Sequence, residues 1–167
     1  IDMHFFYKDE EDSRENWERL PEAMNAMFSY LNENNGEYPY SQYSFIQGGD
    51  GGMEYPMATM ITGGRSYRGL VGVSVHELLH SWYQGVIATD ETRFPWVDEG
   101  FTSYYSSHVI NHLIEKGILE GRPVADPFKR NIQNYVNFLS SGLEEPMSTL
   151  ADHFDTNTAY GVSSYVK

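Results

Sequence analysis

The chain has no cysteine, so disulfides and thiolate metal ligands are excluded. That absence fits any compartment and places the protein in none; periplasmic, secreted and cytoplasmic settings all remain open. Basic residues are scarce as well, 11 against 24 acidic ones, for a net charge of −13. This balance argues against nucleic acid and anionic membrane as partners, since both are polyanions. No apolar run approaches the roughly 18 residues of a membrane span. No charged start leads into an apolar segment, so no signal peptide is visible. Internal repeats and low-complexity segments are lacking. The chain opens inside a strand-like run at Ile1 and closes inside a helix-like run at Lys167, which predicts a segment of a longer protein.

What is present is a globular composition, 40% hydrophobic and 15% aromatic over 167 residues. That length suits one domain with a real core or two small lobes. The 13 tyrosines suggest a polar, aromatic-lined surface or cleft. A negative cleft favours cationic substrates, such as the free amino terminus of a peptide; a merely solvated acidic surface accounts for the charge equally well.

Taken in order, residues 3–7 read as a short strand. Ser13 is a plausible N-cap for a helix whose apolar residues, Trp17, Leu20, Met24, Met27, Phe28 and Leu31, recur at three- and four-residue spacing. Pro21 either kinks that helix or starts a second one, and Asn34-Asn35-Gly36 closes it. Residues 43–47 and 58–62 read as strands around a flexible loop, Gly48-Gly49-Asp50-Gly51-Gly52, and Pro56 marks an edge or irregular strand. Residues 69–84 form the next helix, stopped at Gly85. Asp98 to Leu113 form another. Residues 126–140 look helical, with Phe128, Ile132, Tyr135, Val136 and Leu139 on one side. Short helices follow at 149–154 and 160–167.

The chemistry lies in His76-Glu77-Leu78-Leu79-His80. On a helix the two histidines lie one turn apart on one face and can share a metal ion. Glu77 stands beside that face, within reach of a water held there. This is the HExxH arrangement, in which two histidines hold zinc and the glutamate is a general base. A catalytic zinc takes three protein ligands and keeps a fourth position open. Glu99, nineteen residues after His80, is the candidate third ligand. The spacing lets one helix end, a loop turn back and a second helix present the carboxylate. The ordinary alternative is a buried histidine pair and a glutamate favoured by a helix dipole.

His108 and His112 form another H-x3-H pair, with no glutamate between them. They lie about 180° and 220° around the helix from Glu99, so they read as surface or packing residues. His4 and His153 have no partner pattern. Ser103, one turn after Glu99, is a candidate supporting donor, and Asp98 is a helix cap by default or a partner for a nearby base.

Three motifs in order resemble the M1 family of zinc aminopeptidases, the gluzincins related to aminopeptidase N and leukotriene A4 hydrolase. Gly51-Gly52-Met53-Glu54 is similar to the family's G-x-M-E-N exopeptidase motif. His76 to His80 with Glu99 resembles its zinc signature, including Trp82 and the Glu-Gly-Phe at 99–101. Ser164-Tyr165-Val166-Lys167 resembles its Tyr-x-Lys-Gly segment, and Tyr38-Pro39-Tyr40 is similar to a turn such enzymes often carry. The resemblance implies one Zn2+ held by His76, His80 and Glu99. Glu77 would take a proton from the zinc-activated water and pass it to the leaving amine. Glu54 would bind the substrate's α-amino group while the backbone of Gly51, Gly52 and Met53 lines the peptide. Tyr165 would donate to the oxyanion, with Tyr160 as the alternative donor. Two departures stand out: Tyr55 replaces the usual asparagine after Met-Glu, and Asp98 stands where asparagine is common. The family's N-terminal β-rich domain and C-terminal helical domain have no counterpart in these residues.

The expectation is therefore an α+β, mostly helical, thermolysin-like catalytic domain. A small α/β lobe would span residues 1–62 and a helical zinc lobe residues 63–167, with the site between them. The partners expected are peptides with a free N-terminus. A zinc endopeptidase, an epoxide hydrolase relative and a non-catalytic scaffold are the competing readings.

Overall fold

The computed structural model describes residues 1–49 and 51–167. Strand β1 (Asp2–Phe6) leads into helix α1 (Glu11–Asn34), which returns the chain to β2 (Gln42–Gly48). β2 pairs parallel with β1, Phe5 opposite Phe45. Parallel neighbours need a crossover connection of this kind. The short strand β3 (Met53–Tyr55) turns through Pro56 and Met57 into β4 (Ala58–Thr62), and these two pair antiparallel. Sheet order is β1-β2-β4-β3, so β3 is an edge, as Pro56 predicted. Asp50, in the glycine loop expected between β2 and β3, lies outside the described residues.

Helix α1 is continuous through Pro21. The missing N–H and ring clash cost about 3 kcal/mol in an isolated helix. Here the apolar face holds the turn together: Trp17, Leu20, Met24, Met27 and Leu31 are all fully or almost fully buried. Ser13 is not the cap. The helix starts two residues earlier, and the Ser13 hydroxyl is buried without a partner.

Helix α2 (Tyr67–His80) is capped by Ser66, whose Oγ accepts the Gly69 N–H at 3.2 Å. It does not stop at Gly85. A wider π-helical turn, Ser81–Val86, continues it, with Ile87 N–H bonding back five residues to Trp82 O. The stop falls at Ala88, which takes positive φ (57°). Helix α3 (Pro95–Glu115) starts with proline in its first turn, where no N–H is needed. Its start precedes the expected Asp98 by three residues, which places Asp98 inside the first turn. Helices α4 (Lys129–Leu139) and α5 (Asn157–Tyr165) follow, with a 3₁₀ turn, Ala151–His153, between them.

One apolar core joins α1, β2, β4, α2 and α3. Tyr43, Phe45 and Ile61 meet Leu70, Val75, Leu78 and Leu79, with Val109 and Leu113 closing the other side. Helix α4 carries the expected apolar period, but its apolar side is not covered: no residue of α4 is buried, and Ile132 and Val136 are half exposed. No helix of the described residues is long and apolar enough to cross a membrane.

Candidate metal centre and active-site cleft

Burial of Val75, Leu78 and Leu79 on one side of α2 fixes the rotation of that helix. His76, Glu77 and His80 then turn toward α3 and the β3 edge, both of which pack against α2. Glu99 comes from the second turn of α3. Its Oε2 lies 3.0 Å from His76 Nε2 and 3.5 Å from His80 Nε2, and the two imidazole nitrogens are 3.3 Å apart. Zinc bonds of 2.0–2.2 Å in tetrahedral geometry give ligand–ligand edges of about 3.3–3.6 Å. The three atoms therefore lie close to one face of such a tetrahedron, with only the His76–Glu99 edge shorter than that range, and the donor set suits zinc. The sequence brought these three residues forward, and the fold brings them together.

A shell of neighbours orients this set. The buried Asp98 accepts the His80 Nδ1–H at 2.8 Å. Proton placement at Nδ1 leaves the Nε2 lone pair for a cation. Asp98 is thus a partner of a metal-ligand candidate and not a helix cap, because α3 begins at Pro95. Thr102 Oγ1 is 3.4 Å from the same Nδ1. Ser103 was the expected supporting donor, but Thr102 holds that place; one turn of helix admits either residue, and only packing chooses. Tyr165 donates to Glu99 Oε1 at 2.5 Å, and its ring stacks on His76 at 5.7 Å. Gly100 eases that approach: a Cβ there would sit 3.2 Å from the Ser164 carbonyl, a tight contact that would need a shift of a few tenths of an ångström.

Electrostatics follow from this crowding. Burial alone disfavours charge on His80, but hydrogen bonds to Asp98 and Glu99 prevail and raise its pKa to about 10. Burial likewise opposes charge on Glu99, and the bonds from His76 and His80 win, lowering it to about 2. Glu77 gains no such bond. Burial prevails over the opposing pull of His80, and the nearby Glu54 and Glu99 add to the rise, which takes it to about 8, the range that suits a general base at neutral pH. The Tyr165 hydroxyl is held protonated by burial and by Glu99. Tyr160 is raised to about 12, first by burial and then by Glu99.

These groups line a cleft of about 370 Å³ together with Gly52, Met53, Glu54, Glu91, Thr92 and Ala151. Glu54 is the middle residue of edge strand β3, and its carboxylate shares a group with Glu77 and His80, all within 4.8 Å. A Cβ at Gly52 would overlap the Glu77 carboxylate and a Val73 methyl, so glycine is what lets the loop approach Glu77. Gly51 is exposed, and its carbonyl accepts from Arg65. Met53 is partly exposed, and its carbonyl accepts from Thr59 Oγ1.

His108 and His112 stay away from the site, packed on Tyr104 and Tyr30 at 4.6 Å. Thr102 and Glu91 were not picked out from sequence. Thr102 carries only a weak signal, three residues after Glu99 on the same helix, and Glu91 carries none.

A family model described as the Peptidase family M1 domain matches residues 19–167. The chain belongs to peptidase family M1. The M1 domain thus comes from a family of hydrolases, peptidases that are generally zinc-dependent. Comparison with curated proteins returns no match.

Proposed function

We propose that this M1 domain is the catalytic segment of a zinc aminopeptidase with thermolysin-like architecture. Residues 1–62 form the lobe that carries the substrate edge, and residues 63–167 form the zinc lobe. The observation that carries the proposal is the His76–His80–Glu99 triangle with its 3.0–3.5 Å edges, beside a buried carboxyl raised to about 8.

When bound, zinc supplies Lewis-acid polarisation and lowers the pKa of water. The protein supplies the rest. Glu77 accepts a proton from the attacking water and returns it to the departing amine. Asp98 holds His80 in one tautomer and orientation. Tyr165, kept as a hydroxyl, is the nearest phenol donor to the ligand set and serves the developing oxyanion, with Tyr160 behind it. Edge strand β3 aligns the peptide backbone, and Glu54 accepts from the substrate's ammonium group.

The test pairs metal analysis with blocked substrates. The protein should hold one zinc ion and release amino-terminal residues from free peptides, while N-acetylated versions of those peptides stay intact. No bound zinc, or equal cleavage of both peptide forms, overturns the reading. Glu54→Ala should remove the preference for a free amine; an endopeptidase would be indifferent to that change.

A further inference from the structure

Ladder pairing between β3 and β4 covers Met53, Glu54 and Tyr55. Gly51 and Gly52 lie just before it, outside that register. Glycine has more backbone freedom to lose than any other residue, so two in a row need something to hold them. This pair also lies against α2, where a Cβ at Gly52 would meet the Glu77 carboxylate and Val73.

Arg65 holds the pair in place. Its guanidinium donates to the Gly51 carbonyl, and among the described residues it is the one side chain hydrogen-bonded to these two glycines. Planarity of the trans peptide then sets the direction of the Gly52 N–H, opposite to that carbonyl. Arg65 is itself tied to the framework. Asn16 of α1 donates through Nδ2 to the Arg65 carbonyl at 3.0 Å, and the next residue, Ser66, caps α2. The start of the helix that carries His76, Glu77 and His80 is thereby joined to the loop that crosses it.

The course of this segment decides which substrates depend on it. Gly51 lies by Arg65, Gly52 by Val73 and Glu77, and Glu54 by Glu77 and His80. The segment therefore runs along α2 from its N-terminal side toward its last turn. With an amino end at Glu54 and the scissile bond at Glu77, later substrate residues pass Gly52 and reach Gly51, roughly 10 Å from Glu54. We propose that Arg65 is a positioning residue for the substrate residues that follow the scissile bond. It holds the Gly51–Gly52 peptide in the orientation that pairs with them, and it touches no reacting atom. This inference rests on the aminopeptidase reading.

The experiment compares Leu-Gly-Gly amide, which has residues beyond the scissile bond, with leucine p-nitroanilide, which has none. The readouts are kcat and KM for each on the zinc-loaded protein, with zinc content measured for every variant. Arg65→Met keeps the apolar stem and removes the donors. It should lower kcat/KM for the tripeptide amide about tenfold, mainly through KM. The anilide constants and the zinc content should stay as in the wild type. Arg65→Lys retains a charged donor and should lose less, in the same direction; it carries the test where Arg65→Met fails to fold. An equal fall with both substrates marks a general structural role and overturns the proposal. So does a tripeptide rate that neither variant moves. A loss confined to the free acid Leu-Gly-Gly overturns it too, because Arg65 then meets the terminal carboxylate directly. Wild-type protein that cleaves N-acetyl-Leu-Gly-Gly amide as fast as the free form, or cleaves neither free substrate, overturns the aminopeptidase reading, and this inference with it.

Discussion

Helices α2 and α4 both carry apolar residues at helical spacing, yet they meet opposite fates. α2 buries Leu70, Val71, Val75, Leu78 and Leu79 between the sheet, α1 and α3, whereas α4 leaves Ile132, Val136 and Leu139 between 43 and 51% exposed. The difference teaches where precision is needed. A metal site tolerates little error in ligand placement, and the helix that carries the two candidate histidines is clamped by core packing on its other face. α4 carries no group of the cleft and buries none of its residues; it is tied down at the surface, where Tyr135 donates to Glu144 and lies under Lys167.

The largest effect should come from the clamped side. Glu77→Gln keeps the shape of the site and removes the base, so turnover should fall by about 10²- to 10⁴-fold with zinc content intact. Loss of zinc instead would mean that Glu77 holds the site together. Leu79→Ala tests the clamp itself. Denaturant titration should give a loss of about 2–5 kcal/mol; a loss near zero would dissolve the contrast between the two helices. Asp98→Asn retains an acceptor for His80 but not its charge. Chelator competition should find zinc bound about 10- to 100-fold more weakly.

A smaller effect is the pH dependence of the metal-free protein. His80 has its pKa raised in the folded state to about 10, so its stabilisation is complete below its unfolded value, about 6.5, and is lost as pH rises through 10. Glu77, raised to about 8, adds a loss of the same sign from about pH 4.5 upward, because the folded state binds the extra proton. Glu99, lowered to about 2, acts oppositely: its contribution is present above about pH 4.5 and lost as pH falls through 2. The melting temperature should therefore decline from pH 6.5 to 10, and His80→Gln should flatten part of that slope. A rising melting temperature across this range would contradict the proton placement at His80. The smallest effect belongs to α4. Ile132→Ser should change the stability of this segment by less than about 0.5 kcal/mol, and a larger loss would show that its apolar side is packed after all.

Much of the site was legible before any coordinates. Two histidines four apart on a helix and a carboxylate nineteen residues on constrain each other, because one cation must satisfy all three. The strands at 42–48 and 58–62 and the long α1 were readable from periodicity. The starts of α1 and α3 were not, since capping signals at Ser13 and Asp98 compete with alternatives only a few residues away. Asp98 shows the consequence: as a presumed cap it looked local, but a start at Pro95 frees its carboxylate for His80.

Sequence by itself brought forward the candidate ligand set, the candidate base and the apolar faces, because those depend on residue type and on spacing along the chain. Tertiary structure alone decided what lies across a gap. It selected Thr102 over Ser103, set Tyr165 on Glu99, brought Glu91 to Glu54 and left the α4 face open. Each of these depends on how two elements distant in sequence come to pack, and no local pattern encodes that distance.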